Sequence, residues 1–467
     1  MATSAERVDM PEEQERKSSS PRAPVRANAY WTRVAAVLVM GYLCMGRSFA
    51  YLGLSWFSVY IGELALGLFL LFGPQTNRGR WLFVVQRVRR LRRLERLLVM
   101  LLAYGGFEAL RGILEGHSAF TSLRDTAFDY YPLFVLLGVW VGLENARLLR
   151  RLIRALAWIN GCYGLAYVLF LSRLPWTMPG TATAASPVPL FSQPYGSAIA
   201  LLGLLAFEPK PRRVWHLIAL NGFVLLGVQV RAEWLGFGVG LLMLAWCTGR
   251  VKKMVAAGTV FVALLGLMYV TNMNLPSPKG RGGEISVDYL VARAVAPLNK
   301  AAASNLASAK QAKFFAGTAE WRLAWWAAIW AKVHANLPSA LLGLGYGYPI
   351  GNLNPAIERG TFIQTPHSDF FYALVFSGWL GVVLFALVQF EVLRLLWRSY
   401  RITGQPFGLM CWAALLAASL FENFFEAPFG AIPFYLMVGM ALAPALLQPR
   451  GACGRICRVP CADEAAN

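Results

Sequence analysis

The stretch Thr365-Pro-His-Ser-Asp-Phe-Phe-Tyr-Ala-Leu-Val-Phe-Ser-Gly-Trp-Leu-Gly381 decides how the rest of this 467-residue chain is read. It opens on His367, Ser368 and Asp369 and then turns wholly apolar, so a histidine stands at the mouth of a membrane-type helix. Gly378 and Gly381 lie further down the same helix, spaced for close packing. The stretch closes a long segment without membrane character, about residues 272–366, in a chain otherwise built of apolar runs. Its meaning depends on which side of a membrane it faces and on what surrounds it.

The composition settles the class. The chain is 57% hydrophobic and only 15% charged, whereas a soluble protein carries about 25% charged residues. Mean hydropathy is +0.49. Apolar runs of about 20 residues recur, the length that spans a bilayer as helix. The fold class is therefore all-α, a polytopic integral membrane protein. Its net charge of +20 reads as topology and attraction to membrane lipids, with no nucleic-acid partner implied. Cys44, Cys162 and Cys247 lie in or near spans, and Cys453, Cys457 and Cys461 in the tail. None falls in 272–366, so no disulfide framework is implied. The tail cysteines lack a histidine and are a poor zinc site. Residues 1–29 are rich in Pro, Ser and Arg and read as a disordered tail, not a cleavable signal.

Basic residues mark every second turn. Lys17, Arg22 and Arg26 precede the first span, and a run from Arg78 to Arg96 follows the second. Arg147 to Arg154, Lys210 to Arg213, Arg250 to Lys253, Arg398 with Arg401, and Arg450 to Arg458 follow alternate spans thereafter. Positive charge stays in the cytoplasm, so the alternation predicts about 12 transmembrane helices with both termini cytoplasmic. The expected organisation is a tail at 1–29, transmembrane helices 1–9 at 30–271, a large periplasmic loop at 272–366, helices 10–12 at 367–447 and a tail at 448–467. The other outer loops are short: about 47–50, 112–125, 173–194, 230–232 and 422–428. Within the large loop, Thr318–His334 reads as a helix with Thr318 as N-cap and Pro338 beyond its end. Trp321, Trp325, Trp326 and Trp330 make it suited to an interface or to capping a cavity.

Against that topology, four arginines stand on the wrong side. Arg47, Arg111, Arg231 and Arg322 all fall at outer span ends or on the Trp-rich helix. Three of them have a local acid that could neutralise them: Glu108 three residues before Arg111, Glu233 near Arg231, Glu320 near Arg322. Four at one depth favour a shared anion site, because arginine binds phosphate oxygens bidentately and keeps its charge. A lipid phosphate or diphosphate fits such a place. Outside the cytoplasm there is no ATP, so chemistry there needs a pre-activated donor such as a polyprenyl-diphosphate-linked sugar. Of four histidines, His216 reads as structural, and His117 and His334 lie among residues that carry no chemistry. His367 is placed to take a proton from a sugar hydroxyl, although a lone histidine at a helix start is also a common capping residue. No Asp-x-Asp occurs, and Asp125 and Asp129 have no convergent His or Glu, so neither metal nor other cofactor is expected.

These residues resemble the O-antigen ligases, within the wider O-antigen ligase/polymerase superfamily of membrane-embedded glycosyltransferases. Arg231-Ala-Glu-Trp-Leu235 is similar to that family's Arg-x3-Leu motif, and His367 followed ten residues later by Gly378 to its His-x10-Gly motif. The loop between the motifs and the number of spans match its layout over most of residues 30–447. Ser368 departs from the Asn that many members carry after the histidine. The resemblance implies a metal-independent, inverting transfer of glycan from undecaprenyl diphosphate to lipid A-core oligosaccharide, on the periplasmic side of a Gram-negative inner membrane. It implies that His367 and Arg231 are the catalytic residues, with Arg47, Arg111 and Arg322 joining Arg231 on the diphosphate by the topology argument. Two alternatives share these residues: an O-antigen polymerase, and a protein O-oligosaccharyltransferase. Polymerases tend to have two sizeable outer loops, and this chain has one. A transporter or flippase for lipid-linked glycans is the rival of another class, but the internal repeats common in transporters are not visible.

Overall fold

The computed structural model describes residues 29–54, 59–73, 91–179, 187–208, 210–249, 251–279, 281, 283–354 and 365–447. The basic residues from Arg78 to Arg90, Arg250, both tails and Cys453, Cys457 and Cys461 lie outside the described residues. Within them the chain is helical apart from two antiparallel ladders of two residues a side and one isolated bridge. Six helices are long and apolar enough to cross a membrane: Tyr30–Ala50, Arg92–Leu114, Ala119–Glu144, Leu148–Leu169, Asp369–Thr403 and Pro428–Leu446. The all-helical membrane class is thus what the composition predicts.

Of the other predicted spans, Arg231–Thr248 with 18 residues and Val251–Val270 with 20 are long, and several are helical but short. Ile61–Phe72 has 12 residues, Ser197–Phe207 has 11 and Trp215–Val228 has 14. At 1.5 Å per residue these reach roughly 16–21 Å, against a hydrocarbon core of about 30 Å. A short helix prolonged by irregular chain is tolerable at that depth only inside protein, where the free backbone groups find partners. Ser197–Phe207 meets that condition, being buried at every residue from Ser197 to Leu205.

Glycine sets the closest helix contacts. Gly138 and Gly142 on Phe134–Glu144 face Gly439, Leu436 and Met440 of Pro428–Leu447 so closely that an added Cβ would lie 2.3 Å from the Leu436 carbonyl. This is the small-residue interface that holds helices together where lipid supplies no hydrophobic drive. Arg231–Thr248 and Phe407–Ser419 meet in the same way, through Gly236 against the Ala414 carbonyl.

The long segment before His367 has a small core of its own. Val287–Val295, Lys300–Ser304 and Ala309–Val333 pack Ala292, Ala296, Ala303, Ala312 and Ala316 around Phe315. Ser286, Asn299 and Ser308 cap the three helices. The Trp-rich helix therefore begins at Ala309, not at Thr318. Residues 309–317 carry no apolar period for a sequence reading to follow, but alanine is the strongest helix former and continues the helix upstream.

The helix that follows His367 is two helices joined at a break. Gly378 has φ 61° and ψ −166°, non-helical angles inside Asp369–Thr403. Carbonyls ahead of the break find other donors. Val375 accepts from Leu344 N at 2.7 Å, Phe376 from Gly345 N at 3.1 Å, and Ser377 from the Tyr104 hydroxyl at 2.7 Å. The glycine-rich loop Gly343–Gly347 is thereby strapped to the break, and Gly381 packs beyond it. The expected close packing is present, but it serves a helix break instead of a straight helix.

Candidate functional site

His367 is one of three non-glycine residues at positive φ among the described residues, at 54°. That conformation costs on the order of 1 kcal/mol for a side chain with a Cβ, so its surroundings must hold it. Three ties do so. The Trp326 indole donates to the Pro366 carbonyl at 2.7 Å, and the same ring stacks on Phe371 at 5.0 Å. Ser368 occupies the N-cap position, and Asp369 opens the helix. The Asp369 carboxylate accepts the backbone N–H groups of Phe424 and Phe425, both at 2.9 Å, and of Glu426 at 3.3 Å.

Those three amides belong to the turn before the last helix, and the turn brings Glu422 to the histidine. Glu422 Oε1 lies 2.9 Å from His367 Nδ1, and its Oε2 lies 3.3 Å from an Arg322 nitrogen. Arg322 also donates to the Phe421 carbonyl at 2.6 Å, and the Trp321 ring stands 5.8 Å from the imidazole. Burial pushes Glu422 upward, but the hydrogen bond with His367 and the charges of His367, Arg322 and Arg281 outweigh it. They hold the carboxyl below its usual range.

Because Asp369 ties His367 to this turn, its carboxylate is a structural keystone. In Asp369→Asn one oxygen becomes an NH2 group facing a donor, leaving buried amides without an acceptor. The expected cost is about 1–3 kcal/mol, read as earlier thermal unfolding of the detergent-solubilised protein.

Beside the pair lies a group of arginines. Arg231 is the first residue of its helix and reaches toward the carbonyls of Arg293 and Phe315, at 3.4 and 3.5 Å. Arg293 is buried, stands 4.4 Å over the Phe315 ring and donates to the Arg281 carbonyl. Arg281 donates to the side chain of Gln193. Burial, Arg281 and Arg231 together pull the Arg293 guanidinium down to about 9. Arg322 and Arg281 are within electrostatic reach of Arg231. Arg231 is thus repelled by Arg322 and Arg281, and Arg293 by Arg281 and Arg231, while Arg322 and Arg281 also reach Glu422 beside His367; a phosphate-type anion would relieve that repulsion.

Of the arginines singled out by sequence, Arg231 and Arg322 come into this group. Arg111 is engaged elsewhere: it binds Glu108 at 2.5 Å, Glu115 at 3.1 Å and the carbonyls of Leu342 and Gly343 at 2.7 and 3.3 Å. It fastens the glycine-rich loop to the Arg92–Leu114 helix. Arg47 is exposed, with its guanidinium 5.8 Å from the Tyr51 ring. It follows a break at Gly46, which packs against the backbone of Gln193, the residue that receives Arg281: a Cβ added at Gly46 would lie 2.6 Å from the Gln193 carbonyl. The acids expected beside Arg231 and Arg322 bind other groups. Glu233 lies 3.5 Å from the Gln193 amide, and Glu320 lies 3.8 Å from Lys300.

The remaining histidines are structural. His117 contacts the Tyr346 carbonyl at 3.1 Å, His334 accepts from the Trp379 indole at 3.1 Å, and His216 sits between Trp158 and Trp215. Among the described residues no group of three His, Cys, Asp or Glu side chains is placed to hold a metal ion. Sequence reasoning missed Glu422, Asp369, Arg281 and Arg293. The two arginines obey the rule that flagged the others, since both lie in the loop assigned to the outer side. Glu422 carried a weaker signal, the polar cluster Glu422, Asn423 and Glu426 in a turn between apolar helices.

Residues 216–386 match a family model described as O-antigen ligase. The matched segment runs from the Trp215–Val228 helix past the break at Gly378, and so contains Arg231, Arg281, Arg293, Arg322 and His367 but not Glu422. No curated protein matches the chain.

Proposed function

We propose that this chain, whose residues 216–386 match the O-antigen ligase family model, is an inverting glycosyltransferase that completes lipopolysaccharide. The donor is an undecaprenyl-diphosphate-linked glycan, the acceptor a sugar hydroxyl of lipid A-core oligosaccharide, and the site faces the periplasm of the inner membrane. The observation that supports this reading is that Arg322 and Arg281 lie within electrostatic reach of Glu422, the partner of His367, and that Arg231 and Arg293 lie within reach of Arg281. Guanidinium groups preorganised around a diphosphate stabilise the charge that grows on it as it leaves, and removing one such group costs about 10²–10³-fold in rate. His367 takes the proton of the acceptor hydroxyl as its oxygen attacks the anomeric carbon from the face opposite the diphosphate. One C–O bond forms, the bond from the anomeric carbon to the phosphate oxygen breaks, and undecaprenyl diphosphate departs with the electron pair. A single displacement gives inversion without a covalent enzyme intermediate. Trp321 and Trp326, anchored over His367 and Phe371, form the wall against which the acceptor is held.

The test is product analysis with purified protein, the polyprenyl-diphosphate-linked glycan and lipid A-core. A larger glycolipid is expected, with inverted anomeric configuration and an undiminished rate in excess chelator. Elongated glycan still on the polyprenyl lipid would assign a polymerase, glycosylated polypeptide a protein-directed transferase. Lipid translocation without a new bond would assign a flippase.

A further inference from the structure

We propose that Glu422 is a positioning residue for His367, setting both the tautomer and the aim of the imidazole; this rests on the glycosyltransferase reading above. Glu422 Oε1 lies 2.9 Å from Nδ1. An ionised carboxylate only accepts hydrogen bonds, so Nδ1 carries the proton and Nε2 is left with its lone pair toward the acceptor hydroxyl. The other carboxylate oxygen is held by Arg322 at 3.3 Å, which keeps Glu422 charged and fixes its plane. Asp369 completes the arrangement. It binds the amides of Phe424, Phe425 and Glu426, so the residue after Ser368 grips the turn that carries Glu422. Base and orienter are thus clamped to each other through backbone and side chain, the geometry that a general base needs if it is to hold one tautomer. When the acceptor proton moves to Nε2, the imidazole becomes a cation whose charge Glu422 balances, and the proton later leaves to water.

The groups that face this pair are Arg322 from the Trp-rich helix, Arg281 from the long loop, and Glu233, Tyr195 and Glu426 at greater remove.

The experiment compares the full-length wild type with Glu422→Gln, Glu422→Asp and His367→Ala in the two-lipid assay, with undecaprenyl-diphosphate-linked glycan binding measured separately. Glu422→Gln is expected to lower kcat by about 10²-fold or more, with acceptor KM and donor binding each changed less than threefold. Glu422→Asp, which keeps the carboxylate, should restore part of kcat. A purely structural role would instead lower thermal stability and weaken donor binding and acceptor KM together with kcat, without rescue by Asp. Glu422→Gln protein that folds and transfers within threefold of wild type overturns the proposal, provided His367→Ala is inactive. An active His367→Ala enzyme, or a wild type that makes no glycolipid, instead overturns the underlying reading.

Discussion

His367→Asn is expected to slow glycan transfer by about 10²–10⁴-fold, the range over which a positioned general base acts, while donor binding changes less than about threefold. Asparagine is the informative substitution because His367 sits at φ 54°. Asn adopts that left-handed region more readily than other residues with a Cβ, so backbone and turn should stay where Trp326, Asp369 and Glu422 hold them. Alanine would remove the same base but add strain that a stability change could disguise. The guanidinium groups of Arg231, Arg281, Arg293 and Arg322 are untouched, so the diphosphate should bind as before. Single-turnover transfer rates and equilibrium binding of the donor lipid, measured on the same preparation, separate the two effects. A His367→Asn enzyme within tenfold of wild type would mean that the hydroxyl loses its proton without this side chain.

The sequence made His367 and Arg231 legible because each sits where chain statistics change abruptly, a charged or titratable residue at the edge of an apolar run. Arg322 was legible through its company of tryptophans. Glu422 was not, although it touches His367, because the two are 55 residues apart and nothing local announces the pairing. For Arg111 the pairing with Glu108, three residues away, was legible, whereas its bond to a loop carbonyl more than 200 residues away was not. Periodicity found the helices and overstated their reach. Apolar composition continues through extended and 3-10 chain, as at Val59–Tyr60 before Ile61 and at Tyr131–Leu133 before Phe134, so an apolar run is longer than the helix inside it. Gly378 was noticed for its spacing, but only the backbone angles reveal what the glycine is for.

Gly378→Ala tests that role, and the expected result is loss of the folded protein together with transfer. At φ 61° and ψ −166° the residue occupies a region that is almost exclusively glycine's, costing about 1–3 kcal/mol for other residues. A Cβ there would lie 2.4 Å from the Gly343 nitrogen and 2.4 Å from the Leu341 carbonyl, both backbone atoms that cannot swing aside. Relaxing into ordinary helix is no escape, since it would turn the Asp369–Ser377 segment relative to everything beyond the break. The bonds from Leu344, Gly345 and Tyr104 would then be lost, at about 1 kcal/mol each. Keeping the break costs the conformational strain of about 1–3 kcal/mol plus the two backbone clashes, and relaxing it costs about 3 kcal/mol of lost bonds, either one a large part of a typical protein's stability of about 5–15 kcal/mol. Gly404→Ala is the matched control: it also has positive φ, 68°, but open space around the added carbon. It should pay the conformational cost alone, roughly 1 kcal/mol, and keep its activity. Thermal unfolding in detergent ranks the two. If Gly378→Ala melts with wild type, the break does not need glycine, and the aim of His367 must be set entirely by its ties to Trp326 and to the turn that carries Glu422.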